Sequence, residues 1–305
     1  MVSADGAPIV AAIGNFDGVH LGHRRLIVET ARLAADVGAA PGAVVFDPHP
    51  RRFFQPDAAP FRISAADDRD ALLMQAGAAR VIRLPFDADL AAMTPREFVI
   101  DVLKARLGLA GVATGSEFRF GKGRVGTSED LKEICEEAGL AYRAIDPLSD
   151  EAGRGGGKVG SSGVREAIRA GDMASAASML GRLWSVSGVV EEGRRLGRTI
   201  GFPTANLRLG DIVEPRKGVY AVRVASAGGV SDGVANFGRR PTVGSDAPLL
   251  EAHLFDFDGD LYGAEIEVRF AAFLRDEVKF DGVDALKAQI AIDAEDARRA
   301  LTRLS

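Results

Sequence analysis

The chain has 305 residues, with 38 Lys and Arg against 43 Asp and Glu for a formal net charge of −5. Its 47% hydrophobic and 27% charged residues exclude a wholly disordered chain, and the length predicts about two domains. The acidic balance disfavours a general coating of nucleic acid, no run approaches the ~18 consecutive apolar residues of a membrane helix, and the single cysteine, Cys135, forbids an internal disulfide. Met1 to Pro8 has no basic flank followed by an apolar segment, so no secretory signal is expected and a reducing, cytoplasmic setting fits.

In chain order, Ile9–Ile13, Ala43–Phe46, Arg80–Leu84 and Val112–Thr114 read as buried strands. Between them Leu21–Val37, Ala66–Ala76, Pro95–Leu107 and Ser128–Ala138 read as helices. Thr94-Pro95 and Thr127-Ser128 are start signals. This alternation predicts a Rossmann-like α/β domain with a parallel sheet, whose ligands sit at the carboxyl ends of the strands. A glycine-rich stretch from Gly153 to Gly163 follows, then short helices Val164–Ala170 and Met173–Leu180. From Trp184 the rhythm is all-β: Val186–Val190, Gly218–Ala225, Val230–Phe237, Leu250–Phe255 and Glu265–Leu274 read as strands, with Gly228-Gly229 and Asp258-Gly259 as turns. Leu286, Ile290, Ala294, Ala297 and Leu301 stand near helical spacing, so Asp284 to Leu304 is expected to be one amphipathic helix. The expected division is an α/β domain over 1–182 and a mainly antiparallel β-barrel domain with a terminal helix over 183–305.

The segment Gly14-Asn15-Phe16-Asp17-Gly18-Val19-His20-Leu21-Gly22-His23 joins the first strand to the first helix. A helix start exposes N–H groups and the positive end of a dipole, which suits phosphate. His20 and His23 lie three apart on one face of the first turn, where imidazoles can donate to phosphates as charge develops. Gly22 between them lets a base or ribose approach the backbone. No Walker-type Gly-Lys-Ser/Thr is present.

This string resembles the HxGH nucleotidyltransferases. It looks most like the adenylyltransferase half of the bifunctional riboflavin kinase/FAD synthetase family. Phe46-Asp47-Pro48-His49-Pro50, then Gly115-Ser116-Glu117-Phe118-Arg119-Phe120-Gly121, then Val159-Gly160-Ser161-Ser162-Gly163-Val164-Arg165 match that family in order. Gly160 stands where the family loop begins with serine, and Glu117 where it has Asp or Asn. The resemblance implies ATP contacts from Gly14, Phe16, Asp17, Gly22, Ser161 and Ser162, and catalytic roles for His20, His23 and Arg165. Glu117 is implied on the flavin side. Phe53 or Phe54 could stack on a flavin ring, or one could be core; Phe54 is favoured because Gln55-Pro56 leads into a loop.

The second half carries Gly188, Gly193, Gly197 and Gly201, four glycines in fourteen residues, which suit an arch over phosphates. Pro203-Thr204-Ala205-Asn206 follows. In an extended segment Thr204 and Asn206 share a face, and their oxygens suit an Mg²⁺ that carries ATP. Joined to Gly233-Val234-Ala235-Asn236-Phe237-Gly238-Arg239-Arg240-Pro241-Thr242 and Leu250-Glu251-Ala252-His253-Leu254, the combination resembles the riboflavin kinase domain. That match implies Glu251 as general base, Gly193 and Gly197 at ATP, and Asn236 and Arg275 beside the flavin. His253 shares a face with Glu251 and is left without a role. The resemblance covers nearly the whole chain. It implies an enzyme that phosphorylates riboflavin to FMN with Mg-ATP and adenylylates FMN to FAD, with no nucleic-acid or membrane partner and no oligomeric state specified.

Overall fold

Alternating strands and helices in the first half build a five-stranded parallel sheet in the computed structural model, which describes residues 8–148, 159–192, 202–238 and 248–303. Its strands are β1 (Ile9–Gly14), β2 (Ala40–Asp47), β3 (Arg80–Pro85), β4 (Leu109–Gly115) and β5 (Ala141–Ile145), in the order β3-β2-β1-β4-β5. Helix α1 (Leu21–Asp36) links β1 to β2. β1 is apolar on both faces because both are covered. Ile9, Ala11 and Ile13 pack with Val99, Leu103 and Leu131, while Ala12 packs with Phe16, Ile27 and Val45.

Short helices α2 (Pro50–Phe54), α3 (Ala66–Gln75) and α4 (Ala88–Ala92) surround β3 in sequence. The expected helix after Thr94 forms as α5 (Pro95–Glu97), closed by a Thr94–Glu97 capping box, and continues in π-helical form over Phe98–Arg106. Thr127 caps α6 (Ser128–Ala138) through a second capping box with Asp130. Cys135 on that helix is fully buried, and burial with nearby Glu136 pushes its thiol up to about 12, so it is inert at neutral pH.

Contacts divide the chain into two compact units, Met1–Ala58 with Ala66–Gly160, and Ala59–Ala65 with Ser161–Ser305. The second unit thus begins before the boundary at 182 read from the sequence. Helices α7 (Ser161–Ala170) and α8 (Met173–Leu180) explain the difference. Their buried Val164, Ile168, Met173 and Leu180 share a core with Trp184 and Tyr220.

The second unit holds β6 (Trp184–Val189), β7 (Ala205–Leu207), β8 (Gly218–Ser226), β9 (Gly229–Gly238), β10 (Leu249–Leu254) and β11 (Glu265–Arg275). They form an antiparallel sheet in the order β6-β11-β8-β9-β10-β7, curled as a half-barrel. A bridge between Glu191, just past β6, and Asn206 of β7 brings the two edges together. Strand alternation sorts the side chains. Tyr220, Val222, Phe237, Leu250 and Phe270 fill the inner core, while Val219, Ala221, Val234 and Phe255 face outward beneath α9 (Val283–Thr302).

Two candidate active sites

At the carboxyl end of β1 the backbone turns sharply into α1. Two fully buried residues of this turn adopt left-handed backbone, Phe16 (φ 53°) and Val19 (φ 41°). Positive φ at a β-branched residue is an outlier costing about 1–3 kcal/mol, so packing must hold the turn in place. Both side chains are held in the same cluster as Ile27 and Val45.

The turn delivers His20 to the N-cap of α1, where its Nδ1 accepts from the His23 backbone N–H at 3.3 Å. In the neutral ring this leaves the proton on Nε2. The two imidazoles stack, with centroids 3.6 Å apart and planes 18° apart. Burial, and then neighbouring His20, hold the His23 imidazole pKa well below its ordinary 6.5. His23 is therefore neutral at pH 7, and its buried Nδ1 has no hydrogen-bond partner among the described residues. Gly22 makes room for this stack, since a Cβ there would stand 3.2 Å from the His20 ring.

The histidines border a cavity of about 220 Å³, closed on its far side by Gly115–Phe118 after β4 and by Asp146–Leu148 after β5. In this strand order the winding reverses between β1 and β4, the crevice where open α/β sheets bind ligands. Gly14, Phe16, Gly22 and Glu117 all line it, and Asp17 lies buried in the turn. Phe54 is not among its walls. It ends α2, is 65% exposed, and meets Phe53 and Phe86 edge-on at 5.1 and 5.8 Å. Ser161 and Ser162 open α7, and Arg165 one turn on donates its Nε to the Phe61 carbonyl at 2.8 Å. A Cβ at Gly160 would meet nothing within 4 Å, so a serine would fit there.

The second site is made by strand register. Glu251 of β10 lies opposite Asn206 of β7 on one side and Asn236 of β9 on the other. Asn236 lies opposite Val219 of β8, and Val219 opposite Arg275 of β11. Residues directly opposed in antiparallel strands share a face. Asn206, Glu251, Asn236, Val219 and Arg275 therefore form one line across five strands on the outer face. At roughly 4.8 Å per strand the line spans at most about 19 Å.

Asn206 is 3% exposed, and its Oδ1 is buried with no partner among the described residues. Thr204, two residues earlier and just before β7, lines a cavity of about 160 Å³ together with Asp258–Tyr262. His253 stands two residues beyond Glu251. Its Nδ1 lies 2.8 Å from the Pro203 carbonyl, which can only accept, so Nδ1 carries the proton and holds the start of the Pro-Thr-Ala-Asn segment. Asn236 Nδ2 donates to Glu277 at 3.3 Å, and Arg275 is forked onto Asp293. Gly193 and Gly197, and the string from Arg239 to Thr242, lie outside the described residues.

A family model described as FAD synthetase matches residues 3–159, and one described as riboflavin kinase matches residues 180–301. The bifunctional riboflavin kinase/FMN adenylyltransferase of Escherichia coli K12 is 40% identical over 290 residues, covering 95% of this chain and 91% of its own. The protein of that name from Bacillus subtilis is 33% identical over 310 residues, covering 100% of this chain and 96% of its own. The chain belongs to this bifunctional riboflavin kinase/FMN adenylyltransferase family. A crystal structure of a Streptococcus pneumoniae protein named as a macrolide-efflux protein also superposes, with TM-score 0.84, 29% identity, and 98% and 97% of the two chains covered. No helix among the described residues is long and apolar enough to cross a membrane.

The FAD synthetase match contains the stacked histidines, and the riboflavin kinase match contains the line through Glu251. The chain is thus a flavin-forming transferase with both halves of the family. Reasoning from the string alone singled out the histidines, Glu117, Asn206, Asn236, Glu251 and Arg275, but passed over Phe86, Glu277 and Asp293. Phe86 follows a strand and is an ordinary core residue by pattern. Glu277 and Asp293 gain meaning only from contacts across 41 and 18 residues.

Proposed function

We propose that the line through Glu251 orders the two substrates of phosphoryl transfer. Thr204 and Asn206 stand at one end and Arg275 at the other, with Glu251 and Asn236 between. The buried, partnerless Oδ1 of Asn206 and the nearby Thr204 hydroxyl are hard oxygen donors, so these two residues would hold the Mg²⁺ of Mg-ATP. That ion supplies charge neutralisation at the phosphate oxygens. ATP then occupies the β7 end, where the family resemblance also puts Gly193 and Gly197 among the ATP contacts, and riboflavin the β11 end beside Asn236 and Arg275. Glu251 takes the proton from the riboflavin 5′-hydroxyl as that oxygen bonds the γ-phosphorus and ADP leaves.

In the cavity beside α1, an FMN phosphate oxygen attacks the α-phosphorus of a second ATP, FAD forms and pyrophosphate leaves. No protein nucleophile is required. His20, through Nε2–H, and neutral His23 donate to phosphate oxygens as charge shifts to the leaving group. Gly14, Phe16, Asp17 and Gly22 form the ATP wall; Ser161, Ser162 and Arg165 are further phosphate contacts on the family resemblance alone. This role assigns 1–182 to adenylyl transfer and 183–305 to the kinase, a functional division distinct from the compact one. Glu117 serves the flavin side, and Phe54 stacks on the flavin. ATP, riboflavin, FMN and FAD are the partners in this reading, in the cytoplasm, without nucleic acid or membrane.

The observation that carries the reading is the register that sets Asn206, Glu251 and Asn236 side by side. Chromatography of the purified protein with riboflavin, ATP and Mg²⁺, and in parallel with FMN, tests it. FMN and FAD are expected from the first mixture and FAD from the second. No FMN from riboflavin would remove the kinase assignment, and no FAD from FMN the adenylyltransferase one.

A further inference from the structure

Helix α9 is held unevenly. Its last turns are anchored: Ala297 and Leu301 are fully buried against Val219, Ala221 and Val234, and Arg223 donates to the Leu301 carbonyl at 3.2 Å. From Val283 to Ile292 no side chain is buried, and Val283 and Ile292 are 54% and 53% exposed. Asp293 stands where the two halves meet, and it is 4% exposed. It accepts from Arg275 Nε at 2.7 Å and Nη2 at 2.6 Å, and from Gln289 Nε2 at 2.9 Å. Arg275 Nη1 donates to the Asp276 carbonyl at 2.9 Å. The guanidinium is therefore fixed in plane by the helix on one side and by its own following peptide on the other.

Asp293 is buried but Arg275 only partly so, and an ion pair of this kind is a poor source of stability, because apolar residues of similar volume often do as well. The pair's location gives it a different use. Arg275 ends the line through Glu251, and it begins the segment that carries Glu277 to Asn236, at 3.3 Å. Gly238 permits that approach, since a Cβ there would overlap the Glu277 carboxylate. Asp293, Arg275, Glu277 and Asn236 thus form a continuous path from the terminal helix to the neighbour of Glu251.

We infer that Asp293 is a positioning residue for riboflavin: it fixes Arg275, and through it the Arg275–Glu277 segment, so that α9 completes the acceptor end of the kinase site. This rests on the substrate order proposed above. Asn206 lies at the opposite end of the line, four strands away, so the ATP end is insulated from the clamp.

Asp293→Asn keeps the shape, removes the charge and turns one acceptor into a donor facing Arg275. It is expected to raise the KM for riboflavin about tenfold, the scale of a lost charged hydrogen bond. The KM for ATP, and FAD formation from supplied FMN, are expected to stay within twofold. Arg275→Lys keeps the charge but loses the fork, and should shift the riboflavin KM similarly. Because the two act as one unit, the double variant should be no worse than the poorer single one. An unchanged riboflavin KM in Asp293→Asn, equal rises for both substrates, or additive effects would each overturn the inference. Should Asp293→Asn fail to fold, an unchanged riboflavin KM in Arg275→Lys overturns it by itself. Failure of the wild type to make FMN would instead sink the underlying kinase reading.

Discussion

The two candidate sites are built in opposite ways. The first is local: residues 14–23 supply a strained turn, a helix start and a stacked imidazole pair within one strand-to-helix corner. The second is assembled from afar: Asn206, Asn236, Glu251 and Arg275 come from four strands and meet only because each is opposed in register. The first site stores strain and depends on packing around a loop. The second needs no unusual backbone at those positions but depends on every strand keeping its pairing, because a slip of one residue would turn its side chain to the other face.

The sharpest way to break this comparison is to silence each site separately. Glu251→Ala should lower FMN formation about 10³-fold, within the usual range for a lost general base, while FAD formation from FMN is retained. His23→Ala should do the reverse, with a loss of roughly 10²–10³ in FAD formation. Loss of both reactions from either change in a folded protein would show that the sites are not independent. Next in size, Asn206→Ala should raise the Mg²⁺ concentration for half-maximal FMN formation about tenfold, and leave the adenylyltransferase Mg²⁺ response unmoved. A kinase whose Mg²⁺ titration is unaltered would take Asn206 out of the metal reading.

This difference in construction also explains what was legible in the sequence. The parallel sheet was legible because β1, β2 and β4 carry short apolar runs. β5 was not, because Tyr142 and Arg143 on an edge strand interrupt any such run. The first site could be read as a string because its parts are contiguous. For the second, the residue types were visible, but their alignment was not, since register is a property of pairs of strands. Asp293 was invisible for a related reason: at the boundary of an apolar stripe, a carboxylate looks like solvent-facing charge until Arg275 is found beside it.

Smaller effects refine the picture of the first site. Gly22→Ala places a methyl 3.2 Å from the His20 ring, so the imidazole must give by a few tenths of an ångström. FAD formation should fall by up to about tenfold with FMN formation unchanged, as expected for a small misplacement of a reacting group. An unaffected rate would mean that His20 can shift freely and that the stack is not part of the geometry that matters.

The pH dependence of stability gives the finest test. The pKa of His23 is lowered in the folded state, chiefly by burial, so between that value and about 6.5 the unfolded chain binds the extra proton. Stability must then fall as pH drops below about 6.5, with a slope that approaches roughly 1.4 kcal/mol per pH unit from this one group. The carboxylates with lowered pKa, among them Asp130, Asp172 and Glu267, act in the same direction but only below their ordinary values of 3.8 to 4.5. Between about pH 6.5 and 4.5 these carboxylates contribute nothing, and comparison with a variant that lacks this imidazole separates His23 from the other three histidines. Urea unfolding across that window should show that the wild type loses stability relative to His23→Gln as the solution is acidified. Parallel curves would mean that His23 accepts its proton as easily in the folded protein as in the unfolded chain, and the neutral, stacked imidazole would have to be abandoned as the phosphate donor.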